Sequence, residues 1–267
     1  MNLLQYVIIG QYIPGNTVLH RLDPRAKLLA VMFLVAVVFL ANNVVSYACL
    51  ILFTLLAVVI SRVPLAFLWK GLRPILFLIV FTTLMHLWLT KGGEPLVAIG
   101  SFVIYEEGVR QAVFIALRLL VIVVLTSLLT LTTSPLELTD GLESLLRPFK
   151  RIGVPAHELA LMMSIALRFI PTLLEETDKI IKAQMSRGAS FDSGPLRQRL
   201  KNLIPVLIPL FVSAFRRAEE LAVAMEARGY RGGDGRTKWR ELKFTPRDAG
   251  LACVLLVLAV CLWLLRA

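Results

Sequence analysis

Five stretches of the chain run almost without charge: roughly Lys27–Ala41, Val44–Ile60, Leu72–Leu89, Val109–Leu131 and Asp248–Leu265. About 20 apolar residues in a helix cross the hydrocarbon layer of a bilayer. The pattern predicts about five transmembrane helices. The first two stretches are short and also fit a single tilted hairpin bent at Asn42–Asn43. Between Thr132 and Arg247 the pattern changes. Leu159, Met163, Ala166, Ile170, Leu173 and Ile180 recur at steps of three and four, which is one stripe of an amphipathic helix. Acid-to-base pairs at i,i+4, Glu175–Lys179 and Asp178–Lys182, fall on the other face. The spacing predicts a long helix over 156–187, kinked at Pro171 because proline lacks an N–H and crowds the preceding turn. A second such helix is predicted from about Leu200 to Arg228. Its first part, Ile204–Phe211, is very apolar, carries Pro205 and Pro209, and is suited to graze a bilayer. Its later part places Ala214, Ala218 and Ala222 four apart, where small side chains let another helix come close.

Composition agrees with the pattern. Of 267 residues, 57% are hydrophobic, against roughly 45–50% in a soluble domain. The fold class expected is an all-α integral membrane protein with long amphipathic cytoplasmic helices. The net charge of +11 comes from 29 basic and 18 acidic residues. Lys and Arg collect before the first apolar run (Arg21, Arg25, Lys27), between the second and third (Arg62, Lys70, Arg73) and throughout 132–247. The loop at Lys91–Gly108 carries Glu94, Glu106 and Glu107 instead. Positive loops stay in the cytoplasm, so the N-terminus, the Arg62–Arg73 loop and Thr132–Arg247 are expected there, with Ala267 outside. The organisation that follows is 1–131 for the N-terminal segment and four helices, 132–247 for a cytoplasmic region, and 248–267 for a last helix. Trp69, Trp88 and Trp263 sit near run ends, where indole rings anchor at the interface. The start does not read as a signal peptide, since Gln5, Gln11 and Pro14 interrupt it.

The residues offer no catalytic constellation, and no cofactor or metal is expected. Cys49, Cys253 and Cys261 lie in apolar runs without metal-ligand spacing. Gly229, Gly232, Gly233 and Gly235 lack the Lys-Ser/Thr of a phosphate-binding loop and read as a turn. His157-Glu158 begins like a zinc-protease helix, but position 161 is Leu; His20 and His86 are isolated. There is no Gly-x-Ser-x-Gly turn. One charge, Arg118, stands inside a span, where it costs about 3 kcal/mol and must face protein, water or a headgroup. Structural pairing or snorkelling is favoured over a substrate or ion site, with His86 a weaker instance of the same question.

The two long helices end alike, at Ser186-Arg187-Gly188 and Ala227-Arg228-Gly229. Each alone reads as a cap: glycine accepts a left-handed conformation and arginine complements the dipole. Their recurrence in one basic segment points further, because a planar guanidinium with five donors suits an acidic groove on a partner.

The stretch from Gly10 through Asp23-Pro24-Arg25-Ala26-Lys27, then Leu131-Thr-Thr-Ser-Pro135, then Arg168-Phe-Ile-Pro171 followed by Arg187-Gly188, carries a resemblance that spans nearly the whole chain. So do Ile204–Phe211, Phe215–Ala222 and Ala224-Met-Glu-Ala-Arg-Gly-Tyr230. The sequence resembles the transmembrane coupling subunit, or T component, of energy-coupling factor (ECF) type ABC transporters, to which cobalt and nickel uptake systems contribute relatives. Ser186 stands where alanine is common. The resemblance implies a non-catalytic subunit of the cell membrane. Its partners would be two cytoplasmic ABC ATPase subunits, a small membrane substrate-binding subunit (S component) and membrane lipid, with no nucleic acid. The cargo would be a vitamin or other micronutrient, or a single substrate such as cobalt or nickel. Ser186, Arg187, Gly188, Ala227, Arg228 and Gly229 would couple to the ATPases. Ala214, Ala218 and Ala222 would mark the helix crossing. The stripe Leu159, Met163, Ala166, Ile170 and Leu173 would face the substrate subunit. The residues alone leave two other readings open, a self-contained permease or channel and a scaffold that binds anionic lipid.

Overall fold

The computed structural model describes residues 12–99, 102–191, 195–232 and 242–266. Gly10 and Gln11 of the N-terminal signature, and Gly233 and Gly235 of the glycine-rich turn, lie outside them. The described residues form eight α-helices: α1 (Pro24–Val38), α2 (Val44–Ser61), α3 (Leu65–Leu89), α4 (Glu106–Thr132), α5 (Pro135–Leu146), α6 (Ala156–Ser186), α7 (Leu196–Ala227) and α8 (Pro246–Leu264). A β-hairpin, β1 (Pro95–Ile99) antiparallel to β2 (Phe102–Tyr105), joins α3 to α4 where the sequence suggested only an acidic loop. The protein is an all-α membrane protein.

The chain divides into two units, Gly10–Gly141 with Leu242–Ala267, and Leu142–Glu241. The first boundary falls after the start of α5, beyond the Thr132 position read from the sequence. Local chemistry explains it. Ser134 and Glu137 cap the start of α5 reciprocally, Glu137 N–H donating to Ser134 Oγ and Ser134 N–H to the Glu137 carboxylate. Gly141 then packs so tightly on α1 that a Cβ there would meet Pro24 at 3.2 Å and Leu28 at 3.3 Å.

Among the described residues, five helices are long and apolar enough to cross a membrane: α2, α3, α4, α6 and α8. The number matches the expectation, but the membership differs. The run Lys27–Ala41 supplies a helix of only 15 residues, about 22 Å long, short of the hydrocarbon thickness. It ends at Val38 because the next turn tightens, with Leu40 N–H donating to Val37 O and Ala41 N–H to Val38 O. α6 enters the set by length and by the apolar character of its first half. The expected loop Arg62–Arg73 is mostly helix, since α3 begins at Leu65 directly after Pro64.

In the unit that holds α1–α4 and α8, hydrogen bonds fix the directions of the helices. Asp23 N–H donates to Asp248 Oδ1 at one end, and Asn43 Nδ2 donates to Leu265 O at the other, so α1 and α8 run parallel. Lys27 Nζ donates to Thr132 O, and Arg118 Nη2 to Ala41 O, so α4 runs antiparallel to α1. The main core fills the space between, with Leu34, Val38, Leu50, Val121 and Leu262 buried and Tyr47 stacked on Phe114 at 4.8 Å. A second cluster, Val63, Leu68, Val124, Leu128 and Leu131, closes the basic end under Ile13.

A polar knot holds that end. Asp23 caps α1, accepting from Arg25 N–H and pairing with the Arg25 guanidinium at 3.0 Å. Thr245 and Asp248 form a capping box at the start of α8. Lys27 is buried, and its ammonium donates to His20 O, Thr132 O and Thr133 Oγ1, which uses all three of its protons. His20 Nε2–H donates to Ile13 O, leaving Nδ1 to accept from Thr17 Oγ1 at 2.6 Å. Burial holds the His20 imidazole below its ordinary pKa of 6.5. The Asp-Pro-Arg-Ala-Lys motif is thus a structural fastener.

Candidate functional site

In the unit Leu142–Glu241, α6 and α7 are 31 and 32 residues long, about 46 and 48 Å. Both run unbroken through proline: Pro171 in α6, Pro205 and Pro209 in α7. The two helices pack on each other. Their contact is marked by an ion pair, Arg217 Nη2 to Glu176 Oε2 at 2.9 Å, and Ser213 also hydrogen-bonds the Glu176 carboxylate. The inward positions of α7 near this contact are Val206, Leu210, Ser213, Ala214 and Arg217. Of the alanine stripe, Ala214 is half-buried while Ala218 and Ala222 are exposed. The crossing read from alanine spacing therefore shifts round the helix. The packed stripe keeps its four-residue rhythm but runs through Ser213 and Arg217, where a polar contact replaces a small-residue seam.

The two helix ends have the same geometry. In α6, Gly188 N–H donates to Met185 O at 3.0 Å and Ala189 N–H to Gln184 O at 3.0 Å. In α7, Gly229 N–H donates to Glu226 O at 2.8 Å and Tyr230 N–H to Met225 O at 3.0 Å. These crossed bonds are Schellman closures, and they require a left-handed residue just past the cap. Gly188 and Gly229 supply it, with φ of 88° and 74°. Arg187 and Arg228 are the caps themselves, with nearly equal backbone angles (φ −88°, ψ 9° and φ −85°, ψ 6°). The closures consume backbone groups only. Both guanidinium groups are exposed and make no hydrogen bond or ion pair among the described residues. Capping thus accounts for the glycines and leaves the arginine side chains unexplained. Ser186 Oγ turns back to Lys182 O, and Ala227 is exposed.

Of the α6 stripe, Leu159, Met163 and Ala166 are exposed, while Ile170 and Leu173 are half-buried. A broader apolar face lies on α7, where Leu200, Ile204, Leu207, Ile208, Phe211 and Phe215 are all exposed, Phe215 at 73%. Sequence reasoning noticed how apolar this stretch is but assigned the partner face to α6 alone. The missed signal was its period: Leu200, Ile204, Ile208 and Phe211 keep one face turned the same way through two prolines.

The profile of the CbiQ family, described as cobalt transport protein, matches residues 15–239. The energy-coupling factor transporter transmembrane protein EcfT of Bacillus subtilis (strain 168) is 56% identical over 265 residues, covering 99% of this chain and all of the relative. The chain belongs to the EcfT family. EcfT of Brevibacillus brevis is 59% identical over 258 residues, covering 97% of each chain, and EcfT of Listeria innocua is 52% identical over 265. The protein is accordingly a membrane transport subunit.

In this EcfT-family chain the intramembrane charge has a structural partner. Arg118 donates to Ala41 O at 3.3 Å and lies over the Phe39 ring at 5.0 Å. Ala41 lies just past α1, whose last carbonyls accept from the Phe39, Leu40 and Ala41 N–H groups, so the guanidinium adds a cation near the negative end of the helix dipole. His86 Nδ1 bonds to Thr82 O, and His157 Nδ1 to Glu143 Oε1. No group of three or more metal-ligating side chains occurs among the described residues.

Proposed function

We propose that this chain is the non-catalytic coupling subunit of an ECF-type importer, passing the motion of two cytoplasmic ABC ATPases to a substrate-binding membrane subunit. The observation that carries this reading is the pair of matched helix ends. Two helices finish in the same closure, and each presents one exposed arginine with no partner of its own. Arg187 and Arg228, flanked by Ser186, Gly188, Ala227 and Gly229, each fit an acidic groove on one ATPase. The apolar faces of α6 and α7 fit the substrate subunit, because a contiguous apolar surface of this size marks an interface. The membrane topology that fits is the one given by positive loops, with the N-terminus and the region 132–247 cytoplasmic; it takes the short α1, continued by the tightened turn to Ala41, as a crossing together with α2, α3 and α4, and keeps α6 on the cytoplasmic side. ATP hydrolysis then belongs to the partners, and the cargo, a vitamin or another micronutrient, is chosen by the substrate subunit.

Copurification tests this. The tagged chain is extracted in mild detergent from its host and compared with Arg187→Glu/Arg228→Glu and Arg187→Lys/Arg228→Lys. Two ATPases should accompany the wild type and be lost on charge reversal. The Lys pair should be impaired as well, since lysine lacks the bidentate fork. Undiminished ATPase recovery with the reversed charges would sink the coupling role of the tips. A wild-type chain that emerges alone and transports alone would favour a permease.

A further inference from the structure

A short 3-10 helix, Arg147–Ile152, joins α5 to α6 and packs against α6. It has three residues per turn, so side chains three apart stack in rows. Phe149 and Ile152 make one row, and they are exposed at 49% and 79%. Arg147 with Lys150, and Pro148 with Arg151, make the other two. Those two basic rows and Ser144 of α5 line one open hollow, and the apolar row lies outside it. Six residues thus carry a cationic side and an apolar edge, with no acid among them. Gly153 closes the element: at φ 90° its N–H donates to Lys150 O, and Val154 N–H donates to Phe149 O.

Ser144 and Lys150 are already engaged within the chain. Arg147 and Arg151 are exposed and make no hydrogen bond or ion pair among the described residues. Two guanidinium groups on one hollow fit an anion, and their planar forks suit a phosphate. The apolar row narrows the source. A phospholipid surface offers phosphates and an apolar layer side by side, which is what a basic element edged with Phe and Ile takes up. The position on α6 points the same way. α6 runs about 46 Å from this end to Arg187, and its first turns expose Leu159, Met162 and Met163. The element therefore stands at the end of α6 far from the tip assigned to an ATPase; the preference for lipid over that protein rests on the coupling role of Arg187. We propose that Arg147–Ile152 docks on the anionic surface of the bilayer. Arg147 and Arg151 share the phosphate of a glycerophospholipid, and Phe149 and Ile152 enter the acyl boundary beside it. The root of α6 is thereby anchored at the membrane.

Ile152→Cys, in a full-length chain with Cys49→Ser, Cys253→Ser and Cys261→Ser, is labelled with a fluorophore sensitive to its surroundings. The chain is reconstituted in vesicles of equal parts phosphatidylcholine and phosphatidylglycerol, with bromine on the acyl chains of one lipid or of the other. Quenching by brominated phosphatidylglycerol should be several-fold stronger than by brominated phosphatidylcholine. Arg147→Glu/Arg151→Glu, at exposed positions, should erase the difference. If that variant does not accumulate, the two lipids compared on the chain with both arginines decide. A label quenched by neither lipid, or equally by both, would overturn the proposal, as would a preference that survives charge reversal. A label untouched by lipid but shielded when the two ATPases are added would also overturn it and assign the element to a protein contact. The quenching reads lipid contact directly, so it stands or fails separately from ATPase recovery through Arg187 and Arg228.

Discussion

The unit that contains α1–α4 and α8 and the unit that contains α6 and α7 treat their polar residues in opposite ways. In the first, Asp23, Lys27, Thr132, Thr133 and Asp248 are buried and bonded to one another or to backbone. In the second, the charges are exposed or half-exposed, and neither α6 beyond Ala160 nor most of α7 is buried. Buried polar groups are costly unless fully paired, so the first unit is a closed network with little freedom. The second presents long, lightly packed helices whose surfaces await partners. The two units thus differ in stability, and elements that move come from the low-stability end of a structure.

Two substitutions sharpen the contrast. Lys27→Met should be the more damaging. It strands three acceptors, His20 O, Thr132 O and Thr133 Oγ1, and removes the cation among Asp23, Glu137 and Asp248. The loss should be about 3 kcal/mol, seen as a fall in Tm on the order of 10 °C in detergent. Arg217→Met breaks an ion pair that is 39% and 25% exposed, so the cost should stay below about 1 kcal/mol and Tm should barely move. If the two variants melt alike, the division into a closed and an open unit fails.

The smallest expected effect is on pH dependence. His20 is neutral in the folded chain because burial lowers its pKa below 6.5. The unfolded chain binds the proton first as pH falls, so His20's contribution is complete above 6.5 and is lost as pH drops toward the folded value. Thermal melts should show stability falling through that window. His20→Gln should flatten the slope, and an unaltered slope would show that other groups cause it.

Much of this was legible in the sequence because it rests on local rules. Charge-free runs gave α2, α4 and α8 within a few residues, and periodicity gave both long helices to their last turns. The Arg-Gly ends were visible because a Schellman closure demands glycine one place past the cap. Other features needed three dimensions. Arg118 reaches the Ala41 carbonyl just past the end of α1, 77 residues away along the chain. The helix contact uses Ser213 and Arg217 because Glu176 faces them across space, and alanine spacing carries no record of that. The hairpin β1–β2 was hidden because two strands of five and four residues are too short to show a period.

One arithmetic feature of the helix pair has a mechanical meaning. Arg187 lies eleven residues beyond Glu176, and Arg228 eleven beyond Arg217, so both tips stand about 16 Å from the ion pair that marks the contact. The opposite arms, back to Ala156 and Leu196, are about 30 Å. Each helix therefore has a short arm that ends in its arginine and an opposite arm nearly twice as long. The prolines follow the same division. Pro171, Pro205 and Pro209 all lie on the long arms, and the short arms have none. Proline removes a backbone donor and favours bending, so the compliance of both helices is confined to the long arms, and the stretches that carry the arginines are stiff.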